Sequence, residues 1–304
     1  MDHAYDEKTN HFSYFRISKY VSAFKTEFMY GGYLTAMALP LLVLCMSLLM
    51  DKPVSWRALA ISYLLPLIIY GYDYYMGRDS DAASNPERAI IVGRKAHAFS
   101  LILAAEGLML AALLLMWGNS GLTIFISIMM IGGVAYPVFF KDVTRMIPGF
   151  KSVYVSLIWA AAAVFISFFQ YSTGLSIFIA LAFVFIFLKT MINVIFFDIK
   201  DIEADRKRGL KTIPALLGKE GTFKFLHGLN LLTLAPILTG VYSGSLPAPA
   251  LAWLGLSVYV FYYLYRGRKS DEKGIRHISY ALAESETILW LALIVIGKAA
   301  FSIF

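Results

Sequence analysis

Three carboxylates between residues 193 and 214 are spaced so that they can bind a metal ion. If one helix continues through this stretch, Asp198, Asp201 and Asp205 occupy positions i, i+3 and i+7 and share a face. Unpaired carboxylates on one face repel each other. A hard divalent cation such as Mg²⁺ removes this repulsion by binding their oxygens together with phosphate oxygens and water. The basic residues 206–208 would then contact the remaining phosphate charge. A plainer interpretation is that the acids solvate a helix end and pair with residues 206–208.

A second acidic segment precedes Arg88. Asp73 and Asp81 are separated by close to two helical turns, so they point the same way on a continuous helix. Asp73 interrupts a run of aromatic residues, where a carboxylate is costly unless it is paired or functional. The Asn85-Pro86 pair predicts the end of this helix, because the residue before a proline disfavours the α conformation. Two acid-rich helix ends that face one cavity are what a metal-bridged diphosphate needs.

The composition indicates which elements position these acids. The chain has 304 residues, of which 59% are hydrophobic and 15% charged, and its mean hydropathy is +0.67. Soluble domains are roughly 45–50% apolar and about a quarter charged, so a disordered chain, a coiled coil and a water-soluble enzyme are excluded. Apolar runs of about twenty residues favour membrane-spanning helices over barrel strands. The lone Cys45 excludes an internal disulfide.

The expected fold is an all-α polytopic membrane protein with nine transmembrane helices in a single domain, 1–304. The predicted spans are 31–50, 56–76, 97–117, 120–140, 152–170, 174–198, 222–242, 247–265 and 279–302. Residues 1–29 are expected to form a cytoplasmic amphipathic segment, and their polarity argues against a cleavable signal peptide.

The basic residues predict the orientation of these spans. Of the 27 lysines and arginines, 23 lie in the N-terminal tail and in the loops after helices 2, 4, 6 and 8. The positive-inside rule therefore places the N-terminus in the cytoplasm and the C-terminus outside. The net charge of +7 is thus interpreted as a topology signal and not as a nucleic-acid surface, although these loops would also attract anionic lipid or phosphate. Both acidic segments fall on the cytoplasmic side, in a cell membrane.

Three segments resemble motifs of the UbiA superfamily of intramembrane prenyltransferases. Residues 193–214 read N-x4-D-x2-D-x3-D-x3-G-x2-T-x-P, which resembles the second aspartate motif of that family. Residues 73–88 are similar to its first motif, and residues 136–151, with Tyr136-Pro137 and Pro148-Gly149-Phe150-Lys151, resemble its basic loop. The first motif departs from the family pattern at Gly77, where a carboxylate is usual, while Asp79 lies two positions away.

This resemblance implies Mg²⁺-dependent transfer of a polyprenyl group from polyprenyl diphosphate to a hydrophobic or aromatic acceptor. It implies no nucleic-acid partner, and no obligate protein partner is inferred. Two Mg²⁺ ions are expected, held by Asp73, Asp81, Asp198, Asp201 and Asp205. The candidate catalytic residues are Asp73, Asp198, Asp201, Lys189 and Tyr136. The candidate substrate contacts are Tyr70, Arg88, Lys141, Arg145, Lys151, Asn193, Arg206 and Thr212. Aromatic faces would stabilise the allylic cation, and the tyrosines at suitable depth are Tyr70, Tyr72, Tyr74, Tyr75 and Tyr136.

Charged residues inside the spans leave alternatives open. Lys189 lies one helical turn before Asn193, so the two either line the substrate cavity or Lys189 pairs with a buried acid such as Glu106. Glu284 is a candidate for acceptor contact or proton removal, and with Glu286 it is expected near the cytoplasmic interface. An alternative function is a secondary transporter that uses Lys189, Glu106 and Glu284. A non-catalytic scaffold leaves the acidic clusters unexplained.

The acceptor and the prenyl chain length stay open at this stage. Quinone-precursor aromatics are weakly favoured. A glycerol phosphate ether lipid, a phenazine-type ring and a tetrapyrrole are the other acceptors considered.

Overall fold

A computed structural model describes residues 21, 22, 24–140 and 142–301, without the side chains of Ser80, Asp81, Ala83 and Ser84. Within these residues the chain is helical and contains no strand. The helices are α1 Phe24–Tyr30, α2 Tyr33–Leu49, α3 Trp56–Ser84, α4 Pro86–Lys95, α5 Phe99–Trp117, α6 Ser120–Ala135, α7 Val143–Met146, α8 Phe150–Tyr171, α9 Ile177–Asp198, α10 Ile202–Lys207, α11 Ile213–Leu232, α12 Leu234–Tyr242, α13 Leu254–Arg268, α14 Glu272–Ile278 and α15 Glu286–Phe301. Most of the predicted amphipathic segment 1–29 lies outside the described residues.

Seven helical stretches of the described chain are long and apolar enough to cross a membrane. They are Phe99–Trp117, Ser120–Phe140, Phe150–Tyr171, Ile177–Lys207, Ile213–Tyr242, Ala248–Arg268 and Glu272–Phe301. An eighth is obtained if α1 and α2, which meet at a bend of 65°, count as one span. The all-helical membrane class is therefore confirmed, but the predicted count of nine is not. The segment 56–76 lies within the 29-residue α3, whose Arg57, Asp73 and tyrosines lower its hydropathy.

The core lies between α2, α3, α8 and α9, and the C-terminal helices close it on one side. Phe185 of α9 stacks on Trp253 with ring centroids 5.0 Å apart, and Trp290 of α15 packs against both rings. By contrast, α5 and α6 expose most of their apolar side chains, such as Leu108, Leu115 and Ile131. A surface of this kind suits contact with lipid.

Two loops are joined by main-chain hydrogen bonds at the end of the bundle where the acidic segments lie. The Gly149 N–H donates to Lys211 O at 2.8 Å, and the Lys211 N–H donates to Thr144 O at 2.9 Å. Gly149 has φ 69° and caps the start of α8, a left-handed conformation that glycine adopts without a steric penalty. This junction fixes the first turn of α8 beside the chain that follows α9.

Helix α1 packs next to the same end of the bundle and is held there by contacts with α4. Lys95 forms an ion pair with Glu27, and its ammonium group also donates to the Tyr33 hydroxyl at 2.9 Å. Burial acts to lower the pKa of Lys95, but the hydrogen bonds to Glu27 and Tyr33 outweigh burial, so the pKa is raised. The lysine therefore stays charged and holds α1 against α4. Tyr30, the last residue of α1, packs edge-on against Tyr280 at 4.6 Å.

Candidate active site

A cavity of about 250 Å³ lies between α2, α3, α6, α8 and α9. Its inner wall is apolar and includes Leu39, Leu65, Ile69, Ile158 and Ala162. Its other end is lined by three carboxylates and three cations: Asp73, Asp198, Asp201, Arg88, Lys151 and Lys200. The two acidic segments, more than a hundred residues apart in the chain, thus meet at one cavity, whose remaining wall is mostly apolar or aromatic and also contains Thr35, Asn193 and Glu284.

Asp198 is the last residue of α9 and is nearly completely buried. Lys151, in the first turn of α8, donates to Asp198 Oδ1 at 2.6 Å. The second oxygen, Asp198 Oδ2, is buried and has no hydrogen-bond partner among the described residues. A buried carboxylate oxygen without a partner carries a desolvation cost. This oxygen is available to a cation in the cavity.

Asp201 repeats this arrangement one turn later. It ends the 3₁₀ turn Ile199–Asp201, and Lys200 donates to its Oδ2 at 2.6 Å. Its other oxygen, Oδ1, is buried and has no hydrogen-bond partner in the part of the chain that the structure describes. Lys200 also lines the cavity. In the sequence analysis it was counted only among the basic loop residues that predict the orientation of the spans. Its position next to Asp201 in the chain was the signal that could have identified it.

Asp205 departs from the predicted arrangement because the helix is not continuous. A 3₁₀ turn advances about 120° per residue instead of about 100°, so the face shared by Asp198 and Asp201 rotates before Asp205 is reached. Asp205 is buried outside the cavity lining, and Thr212 donates to its Oδ2 at 2.9 Å. Thr212 also caps α11 through the Ala215 N–H. The structure places this pair as a link between α10 and α11.

The first acidic segment contributes Asp73 of α3 and Arg88 of α4 to the cavity. As predicted, α3 ends just before Asn85-Pro86, and this break brings Arg88 over the Tyr74 ring at 4.3 Å. Asp79 does not replace the carboxylate that is missing at Gly77, because it is 90% exposed and pairs with Arg78 at 3.1 Å. The side chain of Asp81 lies outside the description of the structure.

Two of the predicted basic contacts lie away from the cavity. Arg145 is exposed and pairs with Asp142 at 2.9 Å, one turn earlier in the chain. Arg206 donates to Ala215 O at 2.9 Å and contacts Glu203, so it joins α10 to α11 at the surface. Both side chains find local partners and neither lines the cavity. Lys141 lies outside the described residues.

Aromatic side chains surround the middle of the cavity. Tyr70 accepts a hydrogen bond from Trp159 Nε1 at 2.9 Å, and Tyr136 stacks on Tyr154 with centroids 5.4 Å apart. All four rings line the cavity, together with Tyr74 and Tyr280. Tyr72 and Tyr75, which the sequence also suggested, do not line it, and Tyr75 stacks on Phe99 of α5 instead.

Lys189 lies beyond the apolar wall, next to a smaller cavity of about 90 Å³. Its acidic neighbour is Glu286, at 3.8 Å, and not Glu106 as the sequence had suggested. Glu286 is buried among the helices, where Tyr263 and Trp290 donate hydrogen bonds to its oxygens. Asn193 lines both cavities and donates to Ala283 O at 2.8 Å. Glu106 lines neither cavity, so the three residues of the transporter alternative are not brought together.

The donor set fits Mg²⁺ shared with a phosphate ligand. Within residues 21–22, 24–140 and 142–301, no group of three His, Cys, Asp or Glu side chains encloses a metal position. Mg²⁺ commonly takes only one or two carboxylates and completes its shell with substrate phosphates and water. The unpartnered oxygens of Asp198 and Asp201 supply such carboxylates, and the cations beside them suit the charge of a diphosphate.

Comparisons with known proteins identify the family and the fold of the chain. The model of the UbiA prenyltransferase family matches residues 35–284. A UbiA homologue from Aeropyrum pernix K1, solved without ligand, is 20% identical, with a TM-score of 0.64 over 86% of this chain and 97% of that chain. A UbiA homologue from Archaeoglobus fulgidus, solved with GPP and Mg²⁺, is 16% identical, with a TM-score of 0.60 over 90% and 99% of the two chains.

A structure of digeranylgeranylglyceryl phosphate synthase is 14% identical, with a TM-score of 0.57 over 90% of this chain and 98% of that chain. At these identities the structural matches establish the fold. A search of curated proteins gave no match.

Proposed function

Because the chain belongs to the UbiA prenyltransferase family, we propose that it transfers a polyprenyl group from polyprenyl diphosphate to an acceptor in the larger cavity. One observation carries this proposal. Asp73, Asp198 and Asp201 line one cavity with Arg88, Lys151 and Lys200, and most of its remaining wall is apolar or aromatic, with Thr35, Asn193 and Glu284 as the polar exceptions. A polyprenyl diphosphate is likewise charged at its diphosphate end and apolar along its hydrocarbon tail. The A. fulgidus homologue bound GPP with Mg²⁺, which supports this assignment.

Mg²⁺ would be held by Asp198 and Asp201, through the oxygens that no protein donor uses, and by Asp73 on the opposite helix. We propose two Mg²⁺ ions, one at each acidic segment, with Asp81 of α3 as a further ligand. Asp205 is the weakest of the five predicted ligands because it does not line the cavity. When bound, Mg²⁺ acts as a Lewis acid on the diphosphate leaving group.

The protein's own residues have three tasks. Arg88, Lys151 and Lys200 hold the diphosphate and stabilise the charge that develops as pyrophosphate departs. The rings of Tyr70, Tyr136 and Trp159 face the allylic cation, which their π electrons stabilise without capturing it. The apolar wall around Leu39, Leu65 and Ala162 receives the tail and excludes water.

We place the cavity mouth on the cytoplasmic side of the membrane, because the basic loops are on that side under the positive-inside rule. The acceptor enters the same cavity from the bundle or from the lipid. Aromatic and quinone-like acceptors fit the ring-lined wall of this cavity.

A direct test uses purified protein in detergent, Mg²⁺, and radiolabelled geranyl, farnesyl and geranylgeranyl diphosphates with a panel of acceptors. We expect a prenylated product and released pyrophosphate, both abolished by EDTA and by Asp198→Ala. Full turnover in Asp198→Ala would refute the assigned metal role. The absence of any prenylated product across the whole panel would refute the transfer itself.

A second readout does not need the acceptor. A ligand that binds only the folded protein stabilises it by RT ln(1 + [L]/Kd), about 2.7 kcal/mol at a hundredfold excess over Kd. Geranyl diphosphate with Mg²⁺ should therefore raise the melting temperature of the wild type. It should do so less in Asp201→Asn.

A further inference from the structure

The smaller cavity adjoins the larger one and shares part of its wall. Tyr70, Trp159 and Asn193 line both, and so do Thr35 and Glu284. A volume of about 90 Å³ exceeds the share of one water molecule, which is about 30 Å³. A group bound there would lie next to the aromatic rings of the larger cavity.

The charge of the smaller cavity is unusual for a site inside a membrane bundle. Among the described residues that line it, Lys189 is the only cation and Glu284 and Glu286 are the two acids. Lys189 is 1% exposed, lies 3.8 Å from Glu286 and donates to Asn230 Oδ1 at 3.3 Å. Asn230 is itself fixed by its donation to Ser257 O at 2.9 Å. The one positive charge of this cavity is therefore already held by protein groups.

Glu284 lies where the two cavities meet. It follows the π-helical turn Ser279–Ala283, which interrupts the regular helix just before α15. The Thr35 hydroxyl of α2 donates to Glu284 Oε1. Its carboxyl group therefore has one fixed oxygen beside the aromatic part of the larger cavity.

We propose that the smaller cavity binds the reacting head of the acceptor, and that this head is an uncharged ring bearing a hydroxyl or amine, not a carboxylate or a phosphate. This inference rests on the proposed prenyl transfer. An anionic head would face two acids and one lysine that is already paired, and like charges placed together cost several kcal/mol. A neutral hydroxyl or amine donates a hydrogen bond to Glu284 without this penalty.

The same placement gives Glu284 a role in the transfer step. The bond between prenyl C1 and the diphosphate oxygen breaks, and pyrophosphate leaves with the electron pair. The nucleophilic atom of the acceptor then bonds to C1, and the proton that it loses passes to the Glu284 carboxylate. Charge and atoms balance without a further reactant. Glu284 is thereby assigned as the base.

The first experiment compares two acceptor analogues of nearly the same shape, para-hydroxybenzamide and para-hydroxybenzoate. Their binding to wild-type protein is measured by calorimetry and by melting temperature, with Mg²⁺ and a non-hydrolysable prenyl diphosphate analogue present. We expect the neutral amide to bind at least about tenfold more tightly, which corresponds to about 1.4 kcal/mol. Equal affinity, tighter binding of the benzoate, or no binding of either analogue would overturn the proposal.

The second experiment changes the charge of the pocket. Glu286→Gln releases Lys189 from its acidic neighbour, so affinity for the benzoate should rise about tenfold while that for the amide changes little. Glu106→Gln, a half-buried acid outside both cavities, is the matched control and should leave both affinities unchanged. If Glu286→Gln protein binds the benzoate no more tightly than the wild type, the acids of the smaller cavity do not exclude an anionic head. The wild-type comparison stands if this variant does not fold.

The third experiment tests Glu284 itself. Glu284→Gln should keep its affinity for the amide within about threefold but lose about a hundredfold in kcat, as general-base removal commonly does. An unchanged kcat excludes the role of base. The two proposals fail separately, because a missing prenylated product with every acceptor refutes the transfer, whereas a transfer that prefers the benzoate refutes only the neutral acceptor.

Discussion

Lys151 Nζ lies 2.6 Å from Asp198 Oδ1, while Asp198 Oδ2 is buried with no hydrogen-bond partner within residues 21–22, 24–140 and 142–301. The lysine comes from the start of α8 and the aspartate from the end of α9, so two helices contribute to one half-satisfied ion pair. A purely structural pair would use both oxygens. The free oxygen is instead available to a ligand in the cavity.

Asp201→Asn should lower Mg²⁺-dependent pyrophosphate release by at least about a hundredfold, because it removes a charged oxygen from the leaving-group site. The substitution keeps the shape of the side chain. Rates are measured against Mg²⁺ concentration. Asp79→Asn is the control, since this acid is 90% exposed and pairs with Arg78 outside the cavity lining. Equal losses in the two variants would contradict the assignment.

Lys151→Met should raise the KM for prenyl diphosphate about tenfold or more, because the cavity loses a cation beside the diphosphate. Arg145→Met should change KM by less than about twofold, since Arg145 is exposed and pairs with Asp142 outside the cavity. Steady-state kinetics on both purified variants distinguish the two. A larger effect at Arg145 would restore the interpretation made from the sequence.

Gly133→Ala should shift the preference towards shorter prenyl chains. A Cβ on Gly133 would lie 2.4 Å from Cδ1 of Ile69, and both residues line the cavity. Ile69 must therefore move, and movement into the cavity shortens the space for the tail. The ratio of kcat/KM between geranylgeranyl and geranyl diphosphate should fall about tenfold. Gly107→Ala, which meets nothing within 4 Å, is the control and should leave this ratio unchanged.

Lys189→Met should destabilise the protein by about 3–5 kcal/mol, because it leaves Glu286 buried without its cation. The double variant Lys189→Met/Glu286→Leu should regain most of this loss, since neither charge is then buried. Melting in detergent measures both effects. Lys298→Met, which breaks a pair with the exposed Asp51, should leave the melting temperature nearly unchanged. Additive losses in the double variant would show that the two residues do not interact.

Sequence reasoning was sufficient for the features that depend on composition and short-range spacing. Apolar runs predicted the membrane helices, and Asn85-Pro86 predicted the break that brings Arg88 to the cavity. The sequence placed Asp73 and Asp198 at the cytoplasmic ends of two predicted spans and so predicted that they converge. In the structure both line one cavity. Their roles as metal ligands stay predictions.

Other features depend on geometry that spacing does not encode. Asp205 follows the 3₁₀ turn at Ile199–Asp201 and lies outside the lining of the cavity to which Asp198 and Asp201 contribute, and no residue type in this turn requires it. Lys189 and Glu286 are about a hundred residues apart, so their pairing depends on how α9 packs near α15. The predicted span 56–76 is not among the apolar stretches of the described chain, because Asp73 and several tyrosines that line the cavity make α3 less apolar.

The main-chain hydrogen bonds between the two loops determine which of their residues can be substituted. The bonds from Gly149 N–H to Lys211 O and from Lys211 N–H to Thr144 O use only peptide groups. Gly149 is constrained by its backbone conformation and Thr144 by its burial, so Lys211 is the residue of this junction whose side chain can change without breaking the bonds. A substitution there alters the outer charge of the protein, while the main-chain bonds still hold the start of α8 beside the chain that follows α9.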